Sequence, residues 1–337
     1  METVRVGMLS FAHEGHAASY AASLRQTPGV ALVAVADDDE ARGRGYAARL
    51  GATFHADYRE LLADGSIAAV VVCAENARHR ELTVAAAAAG KHVLCEKPLA
   101  TTRADGLAMI AACREHGVKL QIAFPMRFSP PVIALREAVR AGTIGTPLMV
   151  MATNPRRMPP GWFGDPALAG GGATLDHTVH VADLLRWIFD QEIVSVYAEV
   201  DTRIHLDART DDVGVLLLGL DGGLAASLDA SWSRARTWPS WGGLTLEVIG
   251  ERGVLSLDAF AQNIQHFDDR AGRYGLVPFT EGGDPQLVRS FIAAIRDDTI
   301  PPVTGEDGLR ALEVALCAYA SAKSHEPVAC PAGLLDL

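Results

Sequence analysis

Val4-Arg5-Val6-Gly7-Met8-Leu9-Ser10-Phe11-Ala12-His13-Glu14-Gly15, followed by an alanine-rich helical pattern from Ala17 to Arg25, reads as strand, turn and helix. The same grammar repeats outward from it. Val30 to Ala36 is a second apolar run, which ends in Asp37-Asp38-Asp39-Glu40 and leads into a helix reaching Leu50. Ala68 to Cys73 and His92 to Cys95 are further short runs, separated by a helix from Arg78 to Ala89 that Gly90 terminates. Val118 to Ile122 follows a helix from Arg103 to His116. Short apolar strands alternating with helices of ten or more residues describe a parallel sheet covered on both faces. Residues 1–122 are therefore expected to form a doubly wound α/β domain.

Such sheets bind ligands beyond the carboxyl ends of their strands. Ser10-x-Ala12-x-x-Gly15 keeps the spacing of the dinucleotide fingerprint, with Ser and Ala in place of its first two glycines. Both are small enough for a phosphate to approach provided their φ angles are negative. Asp37, at the end of the second strand, either accepts the two ribose hydroxyls and repels a 2′-phosphate, which favours NAD over NADP, or caps the following helix.

Past Ile122 the pattern changes. A proline-punctuated stretch from Phe124 to Pro131 leads to a helix ending at Ala141, and Gly142 to Pro147 turns the chain into a run from Leu148 to Thr153. A Pro- and Gly-rich loop from Asn154 to Ala169 precedes Gly170-Gly171-Gly172-Ala173-Thr174-Leu175-Asp176-His177-Thr178-Val179-His180-Val181-Ala182-Asp183. On a helix, Leu175, Val179, Ala182 and Trp187 form one stripe, whereas Asp176, His180 and Asp183 fall at i, i+4 and i+7 on another. Three opening glycines allow a ligand or another chain segment close to the first turn, whose N–H groups favour an anion; the alternative is a surface helix with a solvated acidic face. Strands are expected at Ile193–Ile204, Val213–Leu220, Leu224–Trp232, Leu244–Ile249, Val254–Leu257 and Asn263–Phe267, as an antiparallel meander, with helices at Pro285–Asp297 and Gly305–Lys323. Residues 123–337 thus read as an α+β domain with a large, mostly antiparallel open sheet, which self-association would cover.

Composition sets bounds. A chain of 337 residues suits two domains, and 49% hydrophobic with 21% charged residues is a globular balance. A net charge of −11 without a basic block argues against nucleic acid. No apolar run reaches membrane-spanning length and no signal peptide is evident, so a cytoplasmic protein without a membrane partner is expected. Cysteines 73, 95, 113, 317 and 330 are odd in number and scattered, which points to reduced thiols.

Gly90-Lys91-His92-Val93-Leu94-Cys95-Glu96-Lys97-Pro98-Leu99 resembles the Glu-Lys-Pro signature of the glucose-fructose oxidoreductase, inositol dehydrogenase and rhizopine-catabolism (Gfo/Idh/MocA) family. Arg127-Phe128, Gly142-x-Ile144-Gly145-x-Pro147, the triple glycine with Asp176, His180 and Asp183, and Gly250-x-x-Gly253 resemble that family's landmarks in order along essentially the whole chain. The resemblance implies an N-terminal Rossmann domain binding NAD(P) and a C-terminal domain binding substrate and forming homodimers or homotetramers through its sheet. It implies oxidoreduction at a hydroxyl-bearing carbon of a sugar, inositol or related polyol.

Carried over by residue, the resemblance makes Lys97, Asp176 and His180 catalytic. It assigns the cofactor to Ser10, Phe11, Ala12, His13, Gly15, Asp37, Asn76, His79, Glu96, Lys97 and Arg127, and the substrate to Lys97, Trp162, Asp176, His177 and His180. The chemistry agrees: taking a hydride from a secondary alcohol requires that its proton leave, and an imidazole suits that task. An ammonium steadies the charge building on the same oxygen. Asp176 would orient the imidazole or a hydroxyl, and Lys97 and His180 would converge on one alcohol. The peptide before Pro98 is expected to be cis, as in relatives. Asp183 either joins the site or pairs with Arg186; Arg127 either contacts a ligand or forms an interdomain salt bridge. Trp162, then Trp232, Trp238 and Trp241, offer faces to a sugar ring or serve packing. No metal is expected, because Asp176 and His177, adjacent at i and i+1, diverge by about 100° around the helix.

Glu75 and His177-Thr178 depart from the family pattern, which leaves the substrate open. Two other readings remain: an NAD-retaining cycle of oxidation, elimination and re-reduction that cleaves or transfers glycosides, and a non-catalytic dinucleotide-binding regulator.

Overall fold

The computed structural model describes residues 3–261, 263–268, 273–279 and 282–331. The chain divides into two compact units, one built from 1–125, 167–170 and 284–312, the other from 126–166, 171–283 and 313–337.

The first unit alternates β1 (Val4–Leu9), α1 (Glu14–Gln26), β2 (Val30–Ala36), α2 (Glu40–Leu50), β3 (Thr53–His55), α3 (Tyr58–Ala63), β4 (Ala69–Val72), α4 (His79–Ala88), β5 (His92–Cys95), α5 (Arg103–Glu115) and β6 (Leu120–Ile122). Its six strands run in parallel in the order β3-β2-β1-β4-β5-β6, the Rossmann arrangement. Val70 to Val72, Val93 and Leu94 are fully buried, as strands covered on both faces require. Gly7 admits Leu61, whose Cδ2 lies 2.7 Å from where a β-carbon would sit. That contact belongs to α3, which with β3 fills a stretch that the apolar pattern leaves unassigned.

The sheet's β6 edge is closed by sequence from far downstream. Ile122 N–H donates to the Val303 carbonyl (3.2 Å) and Gln121 Nε2 to that of Leu287 (3.1 Å). Leu287 lies in α9 (Gly283–Arg296), and the following α10 (Gly305–Ser324) is counted with this unit up to residue 312 and with the second from residue 313.

The second unit contains α6 (Pro130–Arg140), β7 (Pro147–Thr153), α8 (Ala173–Phe189), β8 (Ile193–Asp201), β9 (Val213–Leu220), β10 (Ala225–Asp229), β11 (Thr245–Gly250), β12 (Gly253–Asp258), β13 (Asn263–Asp268), β14 (Arg273–Pro278) and β15 (Val328–Ala329). The short helix at Pro166–Ala169 precedes α8. The large sheet has the order β12-β11-β7-β10-β9-β8-β15, with β13 and β14 a separate hairpin. This corrects the expected meander: β7 inserts between β10 and β11, pairing parallel with the first and antiparallel with the second. The segment from Ala230 to Leu244 therefore crosses over rather than turning back. Two strands also stop short of their apolar runs. β8 ends at Asp201 because the N–H groups of Arg203 and Ile204 turn to the buried Asp212 carboxylate (2.7 and 2.8 Å). β10 ends at Asp229, and Trp232 N–H goes to the Asp212 carbonyl (2.8 Å).

Candidate active site

In the first unit, loops at the carboxyl ends of β1, β2, β4 and β5 carry the residues in question. Ser10 takes φ +69°, the left-handed region, so the negative angle on which close phosphate approach at this residue depends is not met. Its Oγ accepts the Ala12 N–H (3.0 Å) and fixes the turn. Among the described residues no side chain caps α1 at His13, and nothing lies near the β-carbon position of Gly15, so the first turn is open to a phosphate. Phe11 is buried and stacks on Tyr46 with centroids 4.0 Å apart.

Asp37 is buried, and all its acceptor positions are used within the chain. Phe11 N–H (2.8 Å), Asp39 N–H (3.0 Å), Arg42 Nε (2.9 Å) and Arg42 Nη2 (2.7 Å) donate to it. The helix cap is Asp39 instead, which accepts Arg42 N–H. A small cleft beside it is lined by Ser10, Asp37, Asp38, Tyr58, Arg78 and Leu82, and Asp38 is its solvent-exposed carboxylate. The open first turn of α1 suits a pyrophosphate, and the exposed Asp38 carboxylate at the cleft suits ribose hydroxyls.

Lys97 follows β5, is 2% exposed, and its peptide to Pro98 is cis, as expected. Glu96 lies inward. Its carboxylate faces His16 Nδ1 (2.8 Å), the Tyr20 hydroxyl and the Lys97 N–H (3.0 Å). Burial acts to raise its pKa, but His16, His13 and Lys97 outweigh it and hold the group well below the usual carboxylate range. His13 stacks on His16 at 4.0 Å, and His13, His16 and Glu96 bring metal-ligating atoms within 4.8 Å of one another. The hydrogen bonds already described account for that carboxylate's orientation. His79 is buried, which lowers its pKa. Its Nδ1 lies 2.9 Å from the Pro98 carbonyl and its Nε2 3.2 Å from that of Ala74, holding the strand-end loop from behind. Asn76 Nδ2 donates to the Ala169 carbonyl (2.8 Å), and Glu75 pairs with Arg78 at 3.7 Å.

In the second unit α8 is buried on nearly every side, which excludes a solvated acidic face. Gly172 is obligatory: a β-carbon there would meet the Asp211 carbonyl oxygen at 1.9 Å. The anion at this helix start comes from the chain itself. Asp211 accepts the N–H groups of Gly172 and Thr174 (both 2.8 Å), and the Tyr319 hydroxyl, which donates to Asp211 (2.7 Å), accepts that of Leu175 (3.2 Å). Burial, then Asp211, pushes the Tyr319 pKa well up and keeps it a donor.

Asp176 Oδ2 is a meeting point for His177 Nε2 (3.1 Å), Arg156 Nη1 (3.4 Å) and Trp232 Nε1 (3.4 Å). His177 donates through Nδ1 to the Asn154 carbonyl. His180 is the partly exposed member of the polar stripe, whereas Asp176, His177 and Asp183 are buried. Asp183 pairs with Arg127 (2.5 and 2.8 Å), not with Arg186, which binds Glu192 through both carboxylate oxygens (2.7 Å each). Trp162 stacks on Phe163 (3.8 Å), and Trp232 is fully buried against Phe163 and Ala173. Trp238 and Trp241 remain exposed. Arg156, Asp211 and Tyr319 escape a sequence reading because each acts on a partner far away in the chain, and Arg42, five residues from Asp37, because that spacing belongs to no motif.

Residues 4–124 match the oxidoreductase family with an NAD-binding Rossmann fold, and residues 132–256 match the GFO/IDH/MocA C-terminal domain. The chain belongs to the GFO/IDH/MocA family. Among relatives of this GFO/IDH/MocA protein is a myo-inositol 2-dehydrogenase of Thermotoga maritima, 32% identical over 96% of both chains. A 1,5-anhydro-D-fructose reductase of Ensifer adhaerens is 31% identical over 93% of this chain and 94% of its own. A solved structure, GenD2 from gentamicin A biosynthesis in complex with NAD, is 28% identical over 98% of this chain and 97% of its own, with a TM-score of 0.89. The chain is an NAD-binding oxidoreductase.

Proposed function

We propose that this oxidoreductase interconverts a secondary hydroxyl and a ketone on a sugar, inositol or related polyol, with Lys97, Asp176 and His180 as its working groups. Support comes from the likeness to a myo-inositol 2-dehydrogenase along 96% of both chains, together with an almost fully buried Lys97 at the carboxyl edge of a Rossmann sheet. Bound NAD supplies the two-electron acceptor. The His180 imidazole, partly exposed on α8, takes the hydroxyl proton as the carbon loses its hydride. Lys97 steadies the negative charge on that oxygen, where exclusion of water strengthens the interaction. Asp176, held by Arg156 and Trp232, fixes the polar face on which His180 rides one turn later. Ser10, Ala12, His13, Gly15 and Asp38 serve the dinucleotide. In this reading residues 1–122 carry the cofactor and residues 123–337 the substrate and the subunit contacts.

The experiment is NADH formation with NAD and a panel of inositols, aldoses and glycosides. A polyol-dependent rate that Lys97→Met and His180→Asn abolish supports the reading. No turnover across the panel by protein that binds NAD would refute it.

A second copy of this chain fits the large sheet. Leu148, Met149, Met151, Val215, Leu217 and Val254 on β7, β9 and β12 are each more than two-fifths exposed. A homodimer or homotetramer is expected by light scattering, and Leu217→Lys with Met149→Lys should dissociate it. No helix among the described residues is long and apolar enough to cross a membrane, and the five cysteines are free thiols, so we assign the protein to the cytoplasm.

A further inference from the structure

Asp176 stands beside a concentration of positive charge that the dehydrogenase reading does not use. Residues 154–164 and 230–244 carry Arg156, Arg157, Arg234 and Arg236 and no acidic residue, in a chain whose net charge is −11. They also hold four of its five tryptophans. The two segments are zipped together: Arg156 N–H donates to the Ser231 carbonyl (3.0 Å), Arg234 N–H to that of Arg156 (3.1 Å), and Arg157 N–H to that of Trp241 (3.0 Å). Asn154 Nδ2 adds a bond to the Gly243 carbonyl (2.7 Å).

This places guanidinium groups against aromatic faces. Arg234 lies 4.0 Å over Trp238 and Arg156 lies 4.9 Å over Trp241. Such stacking orients a planar fork while leaving donors on its edge. The Nε atoms of Arg156, Arg157 and Arg234 are buried without a hydrogen-bond partner among the described residues, so their donor capacity is incompletely used. Trp238 and Trp241 are 43% and 53% exposed, a costly arrangement for two indoles unless something covers them. Arg156 is 14% exposed at its side chain and touches Asp176, while the two segments themselves supply no acidic residue to offset Arg157, Arg234 and Arg236. The local balance is cationic where the molecule as a whole is acidic.

Neutral polyols need hydrogen-bond acceptors and donors in mixed array, not an excess of cations. We propose that the substrate is a sugar carrying an oxyanion, a carboxylate or a phosphate, whose ring lies on the Trp238 and Trp241 faces and whose anionic group is read by Arg156 and Arg234. This rests on the dehydrogenase reading for what happens next but not for binding. A charge-assisted arginine contact should favour the anionic sugar over its neutral counterpart by roughly 10- to 100-fold.

The test is tryptophan fluorescence of the NAD-loaded protein titrated with D-glucuronate, glucose 6-phosphate and D-glucose, alongside NADH formation with each. Expected is saturable binding of an anionic sugar at a concentration at least about tenfold below glucose, weakening toward about 0.5 M salt as screening demands. Arg156→Gln and Arg234→Gln should each shrink that preference. Tighter binding of the uronate identifies the oxyanion as a carboxylate, tighter binding of the phosphosugar as a phosphate. Equal affinity for all three sugars at low salt overturns the inference, whatever the variants do. Turnover of neutral sugars without anionic preference sinks the inference and leaves the dehydrogenase reading standing; anionic preference without NADH from any sugar does the reverse.

Discussion

Asp183→Ala should destabilise the second unit by about 3–5 kcal/mol, because it strips the partner from a buried guanidinium. The pair is enclosed, with side-chain exposures of 6% for Arg127 and 1% for Asp183, and its geometry is a two-bond fork at 2.5 and 2.8 Å. Forming the pair costs both charges their water, so its net worth is small, whereas orphaning one charge costs the full desolvation. The double variant Arg127→Met/Asp183→Leu should therefore recover most of the loss. For a body of this size each kcal/mol moves Tm by about 2–4 °C, so the single variant should melt roughly 6–20 °C lower and the double variant close to the parent. Differential scanning fluorimetry with urea unfolding reads both. A drop under about 2 °C for Asp183→Ala, or a double variant as weak as the single one, would refute the reasoning. NAD titration of Arg127→Met adds a functional arm. If the Asp183 pair is what Arg127 contributes, cofactor affinity stays unchanged, and a selective loss of NAD binding would give Arg127 a direct cofactor role.

Lys97→Met and His180→Asn should each lower kcat by about 10²–10⁴-fold with NAD affinity retained, read by steady-state kinetics and cofactor titration. Glu96 has a pKa depressed in the folded chain from an ordinary value of 4.5, so folding releases protons between those values. Its contribution is complete above about pH 5 and drains away as pH falls. Glu96→Gln should accordingly be destabilised relative to the parent at pH 7, and the gap should narrow as the urea midpoint is followed down toward about pH 3. Gly172→Ala should cost about 2 kcal/mol or more, since the Asp211 backbone must retreat and withdraw its carboxylate from the start of α8. Circular dichroism melting checks it, with Ala173→Gly as a control for helix propensity.

Much of this protein follows from short-range pattern. The alternation of buried apolar runs with helical stretches sets the Rossmann half, because strand and helix periods are local properties of the chain, and most helix boundaries fall within about three residues of the sequence reading. The three glycines before α8 and the Lys97–Pro98 step are equally local. What tertiary structure alone decides are the pairings between residues far apart. β7 enters the middle of the large sheet, and Asp183 selects Arg127 over its helical neighbour Arg186. Asp211 supplies the anion that the opening of α8 requires. A buried charge takes whichever opposite charge the packing brings near it, and a strand takes whichever edge is open. Sequence spacing carries no information about either, whereas the backbone periodicity that makes a helix or a strand is written within a few residues.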